Sequence, residues 1–170
     1  MIVFALAGVR HAAELRWVRE VVTLGFVTEI PTAPPGVTGA FNLRGNLVPV
    51  LDTGVLVGGR ASAPPRQGDG ALLVELDGVV AALRVDKVDE VATLQQTRDG
   101  AAVIDGRGRS VPLVDPSAVV RRAIALSQAV REEAEGEGAS DLTAESLRPV
   151  RDPTTGARTP PGFDGDTTLG

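Results

Sequence analysis

The sequence predicts a mainly β fold, all-β apart from one C-terminal helix, built as two small barrels of four or five strands each in tandem. Three observations predict it. Valine is the commonest apolar residue and aromatic residues make up only 3% of the chain, so the core must be aliphatic, and β-branched side chains favour strands. Short apolar runs alternate with turns rich in Gly and Pro. The order of these runs occurs twice along the chain.

Six short runs have the composition of strands. They are bounded by Gly and Pro clusters such as PTAPPG and SAPPRQGDG, which interrupt regular structure. The predicted strands are residues 1–6, 18–24, 46–51, 71–76, 79–85 and 110–114. One later stretch has helical spacing instead. It begins at Asp115, places Pro116 at the first helical position and continues to about residue 135, which predicts a long helix.

An internal repeat organises these runs. Residues 6–24 resemble residues 76–94, and VPVLDTGVLV at 48–57 resembles VPLVDPSAVV at 111–120. Because both matches occur in the same order, the sequence predicts a duplicated unit of four or five strands. A unit of that size with short strands closes most readily as a small barrel, since closure removes exposed sheet edges. The repeated strands are expected to occupy equivalent places in the fold.

The C-terminal part of the chain differs in composition. From about residue 136 it is rich in Gly, Pro, Thr and Asp and poor in clustered apolar residues, which predicts a disordered, acidic extension without a packed core. The TAESL segment within it could alternatively form a short helix on a partner. We expect a folded domain over 1–130 and an extension over 131–170.

Composition excludes several functional classes. The chain has no cysteine and a single histidine, His11, so thiolate metal sites are excluded and little is left for metal or proton chemistry; we predict no cofactor and no metal. A formal net charge of −5 disfavours nucleic acid as a partner. Residues 1–6 are too short for a signal peptide, and no run approaches the ~20 apolar residues that span a bilayer. We therefore expect a cytoplasmic protein without membrane insertion.

Two aspartates at strand ends raise the alternative of a small enzyme. Asp52 and Asp115 each follow a predicted strand, and paired carboxylates can perform acid/base chemistry. However, Asp115 precedes Pro116 and a helical pattern, which is typical of an N-cap, and Asp52 precedes a similar turn. No histidine, serine or lysine constellation accompanies them, so structural roles are favoured and no catalytic residue is predicted.

The segment AFNLRGNLVPVLD predicts a hairpin with an arginine at its tip. The apolar runs 41–43 and 47–51 are separated by turn residues that include Arg44 and Gly45, and glycine readily supplies the positive φ that tight turns need. Arg107, between two glycines, lies at the matching place in the second unit. The role of the exposed arginine does not follow from the turn itself.

The wider motif resembles the CheW-like domain, the coupling module of bacterial chemotaxis systems. MIVFALAG, VREVV, IP-x-x-P and G-x-x-NLRG-x-x-VPVLD occur in the order and spacing of that family, and the similarity extends over about residues 1–127. The resemblance implies two five-stranded barrels that share an apolar seam, with strands exchanged near it, which agrees with the duplication. The second barrel is expected to be shortened, because only residues 95–110 separate Leu94 from Val111, a shorter connection than the family usually has. The resemblance also implies a non-catalytic scaffold.

The resemblance further implies partners and a binding surface. CheW-like proteins join chemoreceptor cytoplasmic tips to the regulatory domain of a CheA-type histidine kinase in membrane-associated receptor arrays. An exposed arginine and a strand carboxylate can select such a partner electrostatically. The residues that match the family's binding positions or adjoin them in the motif are Arg44, Glu20, Val18, Gly39, Asn42 and Leu43. Because the second half is short, a scaffold that binds receptors and has lost the kinase contact remains an alternative.

Overall fold

A computed structural model describes the backbone of residues 1–141 and the side chains of residues 1–135. Residues Met1–Glu135 form one compact unit. The strands are β1 (Ile2–Leu6), β2 (Val9–Ala13), β3 (Val18–Thr23), β4 (Val27–Thr28), β5 (Val37–Leu43), β6 (Asn46–Asp52), β7 (Gly70–Leu76), β8 (Val79–Val85), β9 (Lys87–Val91), β10 (Gln95–Gln96), β11 (Ala102–Ile104) and β12 (Ser110–Pro112). A one-turn helix α1 (Thr53–Leu56) follows β6, and a long helix α2 (Pro116–Asp141) follows β12. The mainly β class with a C-terminal helix is confirmed.

The two repeats, β1–β6 and β7–β12, have equivalent strand pairings. β1 and β2 form an antiparallel hairpin, as do β7 and β8. Each hairpin pairs with the third strand of the other repeat: β3 pairs with β7, and β9 pairs with β1. Both of these ladders shift register at the same place, passing over Arg19 in β3 and Asp89 in β9. The duplication predicted from sequence is therefore present down to a matching bulge.

Because the hairpins β1–β2 and β7–β8 are exchanged between the repeats, the first half of the fold consists of β3–β8 and the second half of β1, β2 and β9–β12. Hydrogen bonding arranges the strands of each half in the same order. One sheet has the order β3-β7-β8-β6-β5-β4, and two three-stranded sheets, β2-β1-β9 and β10-β11-β12, are joined by a parallel bridge between Ala12 and Leu113. The matching parallel contact in the first half is the ladder between β6 and β8. Each half thus holds six strands rather than five, because each includes a two-residue strand. Closure into barrels stays a prediction, since no pairing among the described residues closes either set.

One large apolar core joins the two halves. It contains side chains from the first-half sheet, from β1 and from the start of α2, among them Phe4, Leu51, Leu72 and Val120. The first half has a second core around Phe41 and Val50, whereas the second half has, among the side chains that the structure describes, a small cluster of its own: Val3, Ala12, Val103 and Val111. The second half therefore depends on the shared core, because four small side chains bury little apolar area.

The C-terminal helix starts where the sequence predicts and runs past the expected domain boundary. It begins at Pro116, and its backbone continues to Asp141, so the boundary at residue 130 stays a prediction. The predicted disordered extension, from residue 136 onward, lies outside the residues whose side chains the structure describes. Among the residues that are described, no helix has both the length and the apolarity needed to cross a membrane.

Candidate partner-binding surface

Arg44 lies at the tip of the β5–β6 hairpin, as predicted. Leu43 and Asn46 form the last pair of the ladder, so Arg44 and Gly45 are the two turn residues. Their φ angles are 53° and 88°, and a two-residue turn of this kind needs positive φ at both positions. The side chain of Asn42 stabilises the turn, because its Oδ1 accepts a hydrogen bond of 2.8 Å from the backbone N–H of Gly45.

The structure brings Arg44 together with Glu20 of β3. Nη2 of Arg44 donates to Oε1 of Glu20 at 2.7 Å, and Nη1 donates to Oε2 at 3.2 Å. Arg44 is 72% exposed and Glu20 is 38% exposed, so the pair stabilises the fold by only about 0 to 1 kcal/mol. Its two parallel hydrogen bonds nevertheless give the guanidinium one defined orientation. Sequence reasoning had singled out both residues but not their contact.

A shallow depression of about 490 Å³ lies beside this pair. Leu43, Leu47 and Val80 supply apolar side chains to its lining, and Arg19 adds a second cation. Leu47 is 75% exposed, because Val48 and Val50 of the same strand face the core and the alternation turns Leu47 outward. The surface is therefore part apolar and part charged.

Phe26 adds a second exposed apolar side chain near the hairpin. It is 79% exposed and directly precedes β4, in which Val27 pairs with Phe41 of β5. Continuing that register by one residue places Phe26 beside Asn42, the residue that pairs with Leu47. Sequence reasoning missed Phe26 and Leu47. The signal for Leu47 was present in the alternation of NLVPV, whereas the placement of Phe26 depends on the pairing of a two-residue strand.

The other predicted site residues are partly or wholly buried. Val18 packs against the shared core, and Leu43 packs against the first-half core. Gly39 is buried, and a Cβ atom there would lie 2.4 Å from the carbonyl oxygen of Thr28. Its glycine identity is thus explained by the close approach of β4 to β5. Direct contact of Val18 and Gly39 with a partner stays a prediction.

Asp52 and Asp115 cap helices, as predicted. Oδ1 of Asp52 accepts hydrogen bonds from the N–H of Val55 and the hydroxyl of Ser62. Oδ1 of Asp115 accepts from the N–H and hydroxyl of Ser117 at 2.9 and 2.7 Å. Burial alone would raise the pKa of Asp115, but the hydrogen bonds from Ser117 and from the N–H of Ala118, together with the charge of Arg121, lower the pKa below its usual value. Both carboxylates are therefore occupied with their own helices.

A second charged cluster lies at the β11–β12 hairpin, around Asp105. This carboxylate is buried and accepts hydrogen bonds from the backbone N–H groups of Arg107 and Arg109. The N–H of Arg109 lowers its pKa most; burial opposes this, and the Arg109 guanidinium and the Arg107 N–H lower the pKa further, to about 2.

Replacing Asp105 with Asn is expected to destabilise the chain in a pH-dependent way. Since the folded-state pKa lies below the ordinary value of 3.8, the carboxylate stabilises the fold at pH values above about 4, and this contribution disappears as the pH falls towards about 2. Urea midpoints of wild type and Asp105→Asn should accordingly differ at pH 6 and converge near pH 2. A difference that stays constant over this range would contradict the assignment.

Comparisons with known proteins agree with the architecture. Residues 1–102 match the family model of the CheW-like domain, which is more than half of the chain. The chain also resembles the crystal structure of scaffolding protein TtCheW from Thermoanaerobacter tengcongensis, with 26% sequence identity and a TM-score of 0.56, over 69% of this chain and 89% of that one. A search of curated proteins finds no match. Since the family match takes in the hairpin tip, its strand partner and both exchanged ladders, the chain belongs to the CheW-like domain family.

Proposed function

We propose that the chain is a non-catalytic adaptor that holds chemoreceptor cytoplasmic tips and a CheA-type histidine kinase together. It acts in the cytoplasm, at membrane-associated receptor arrays. The observation that carries the proposal is the exposed Glu20–Arg44 pair, set beside the outward-facing Leu47. The exposed Phe26 lies next to Asn42 of the same hairpin by strand register. Exposed apolar side chains supply binding energy in protein interfaces, and neighbouring charges supply specificity.

Adaptor function fits the chemistry of the surface better than catalysis does. The two candidate catalytic carboxylates, Asp52 and Asp115, are engaged in capping, and the similar solved structure is a scaffolding protein. A scaffold needs no activated group. It needs a surface whose side chains are held in place before the partner arrives, because ordering them on binding would cost affinity.

Glu20 provides this preorganisation for Arg44. A guanidinium has five N–H donors, and the two hydrogen bonds to Glu20 use one on each terminal nitrogen. The remaining donors make no hydrogen bond to the residues that the structure describes, and they can bind a carboxylate or a backbone carbonyl of a partner. Arg44 thus presents an oriented cation at the edge of an apolar patch, which suits an amphipathic receptor helix or the related barrel of the kinase.

Replacing Arg44 with Ala is expected to weaken partner binding while leaving stability nearly unchanged. Loss of one charged interface contact costs roughly 1 to 3 kcal/mol, or about fivefold to 150-fold in Kd. The unfolding free energy should change by less than about 1 kcal/mol, because the ion pair is exposed. Calorimetric titration with a receptor cytoplasmic fragment, and separately with the kinase regulatory domain, measures both contacts.

Arg107→Ala is the matched control, since it removes an arginine from the corresponding tip of the second half and should affect binding less. The charge-swapped double variant Glu20→Arg with Arg44→Glu separates the two possible roles of the pair. If Arg44 contacts the partner, the swap stays defective although the internal ion pair can reform. Wild-type affinity of Arg44→Ala for both partners would refute the assignment of this surface as the partner-binding site. Binding of the wild-type chain to the receptor fragment alone would instead favour a receptor-only scaffold.

A further inference from the structure

Two glutamates at equivalent positions of the repeat, Glu20 and Glu90, bind different arginines. In the first half, Glu20 of β3 is bound by the hairpin-tip residue Arg44. The equivalent carboxylate in β9, Glu90, is bound instead by Arg10, whose Nη2 donates to it at 2.9 Å. The second hairpin-tip arginine, Arg107, has no side-chain hydrogen bond or ion pair within the described part of the chain.

Arg10 reaches Glu90 across the central strand β1. It lies on β2, and the repeat places Val80 of β8 at the equivalent position. Arg10 also binds Asp105 at 3.1 Å and Asp89 at 3.4 Å, and its side chain is only 31% exposed. One arginine is therefore surrounded by three carboxylates and joins β2, β9 and the β11–β12 turn.

The contrast with Val80 explains why the tip arginine binds the third-strand glutamate in the first half, whereas Arg107 and Glu90 form no such pair among the described residues of the second half. Val80 carries no charge and lines the depression beside Glu20 and Arg44, so the first half has no arginine at this position to compete for Glu20. In the second half, Arg10 fills the corresponding place. The second surface also lacks the exposed leucine, because Ser110 corresponds to Leu47 in the repeat.

We propose that Arg10 is a specificity-determining residue that limits partner docking to the first half of the chain. It holds Glu90 within the second half, so the second half cannot form the tip pair with which the first half docks. The inference rests on the proposed function, because it concerns the same Glu20–Arg44 surface. Although the chain is duplicated, it then has one docking surface of the Glu20–Arg44 kind, on its first half.

Transplanting the arginine into the first half tests the inference. Val80→Arg is expected to capture Glu20, release Arg44 and weaken binding of the receptor fragment or kinase domain about tenfold, close to the effect of Arg44→Ala. Val79→Arg is the matched control: it adds the same charge one residue earlier on β8, where the alternation turns the side chain to the other face, and should bind like wild type. Val80→Gln introduces a long side chain without a positive charge. Any loss of affinity that it shares with Val80→Arg is due to the lost packing of Val80 and not to capture of Glu20.

A double-mutant cycle supplies the decisive readout. If Val80→Arg acts by capturing Glu20, it should have no further effect on Kd in a Glu20→Gln background. Wild-type affinity of folded Val80→Arg, with Arg44→Ala still defective, would overturn the inference and leave the proposed function standing. Wild-type affinity of Arg44→Ala would refute the proposed function itself. If circular dichroism shows that Val80→Arg does not fold, the shorter Val80→Lys carries the same test, and its wild-type affinity would likewise overturn the inference.

Discussion

Replacing Phe4 with Ala is expected to destabilise both halves of the chain by about 3 to 5 kcal/mol in a single unfolding transition. Phe4 is 1% exposed and belongs to the core that includes Leu72 of the first-half sheet and Val114 of the second half. Its ring also packs against His11 at 6.2 Å between centroids. Because this core joins the halves, the cavity left by the ring affects both of them.

Urea denaturation can follow the transition with two probes. Circular dichroism reports on the strands, and fluorescence of Trp17, the one tryptophan of the chain, reports on the shared core against which it packs. The two curves should coincide in Phe4→Ala as in wild type. Val91→Ala is the control: Val91 is an apolar strand residue that is 61% exposed, and its loss should change stability by within about 0.5 kcal/mol. Two separate transitions in the Phe4 variant would show that the halves have independent cores.

Gly39→Ala is expected to cost about 3 kcal/mol of stability, at the upper end of the usual range for overpacking. The added Cβ would lie 2.4 Å from the carbonyl oxygen of Thr28 and 2.9 Å from Cγ1 of Val27. The first of these atoms belongs to the backbone of β4, which cannot move aside without disrupting its pairing with β5. Thermal unfolding measures the loss directly.

Gly25→Ala provides the matched comparison, because a Cβ there meets no atom within 4 Å; its melting temperature should stay close to that of wild type. The Gly39 variant also bears on the predicted binding role of this residue. If Gly39→Ala lowers both the melting temperature and the affinity for the partner, the effect on binding is transmitted through β4 and the neighbouring Phe26. Full stability combined with lost binding would instead make Gly39 a direct contact.

The sequence alone determined those features that depend on neighbouring residues or on repetition. Valine-rich runs between Gly and Pro clusters predicted the β class, and the matched VPVLD and VPLVD segments predicted the duplication. The position of Arg44 at a hairpin tip followed from its place beside Gly45, and the cap at Asp115 followed from Pro116 and the helical pattern after it. For the strands, the hairpin tip and the cap the deciding interactions are local, so the information lies within a few consecutive residues. The duplication could be predicted because the same pattern recurs along the chain.

Only the tertiary structure decided which strands pair and hence which charges meet. Alternation along a strand predicts which face is apolar, but it does not specify the neighbouring strand in the sheet. Glu20 binds Arg44 although β7 and β8 lie between β3 and the β5–β6 hairpin in the strand order. The same topology places Arg10 within reach of Glu90. Equivalent residues therefore acquire different partners: Glu20 binds the tip residue Arg44, whereas Glu90 binds Arg10. The difference follows from one position of the repeat, which holds the cation Arg10 on β2 and the uncharged Val80 on β8.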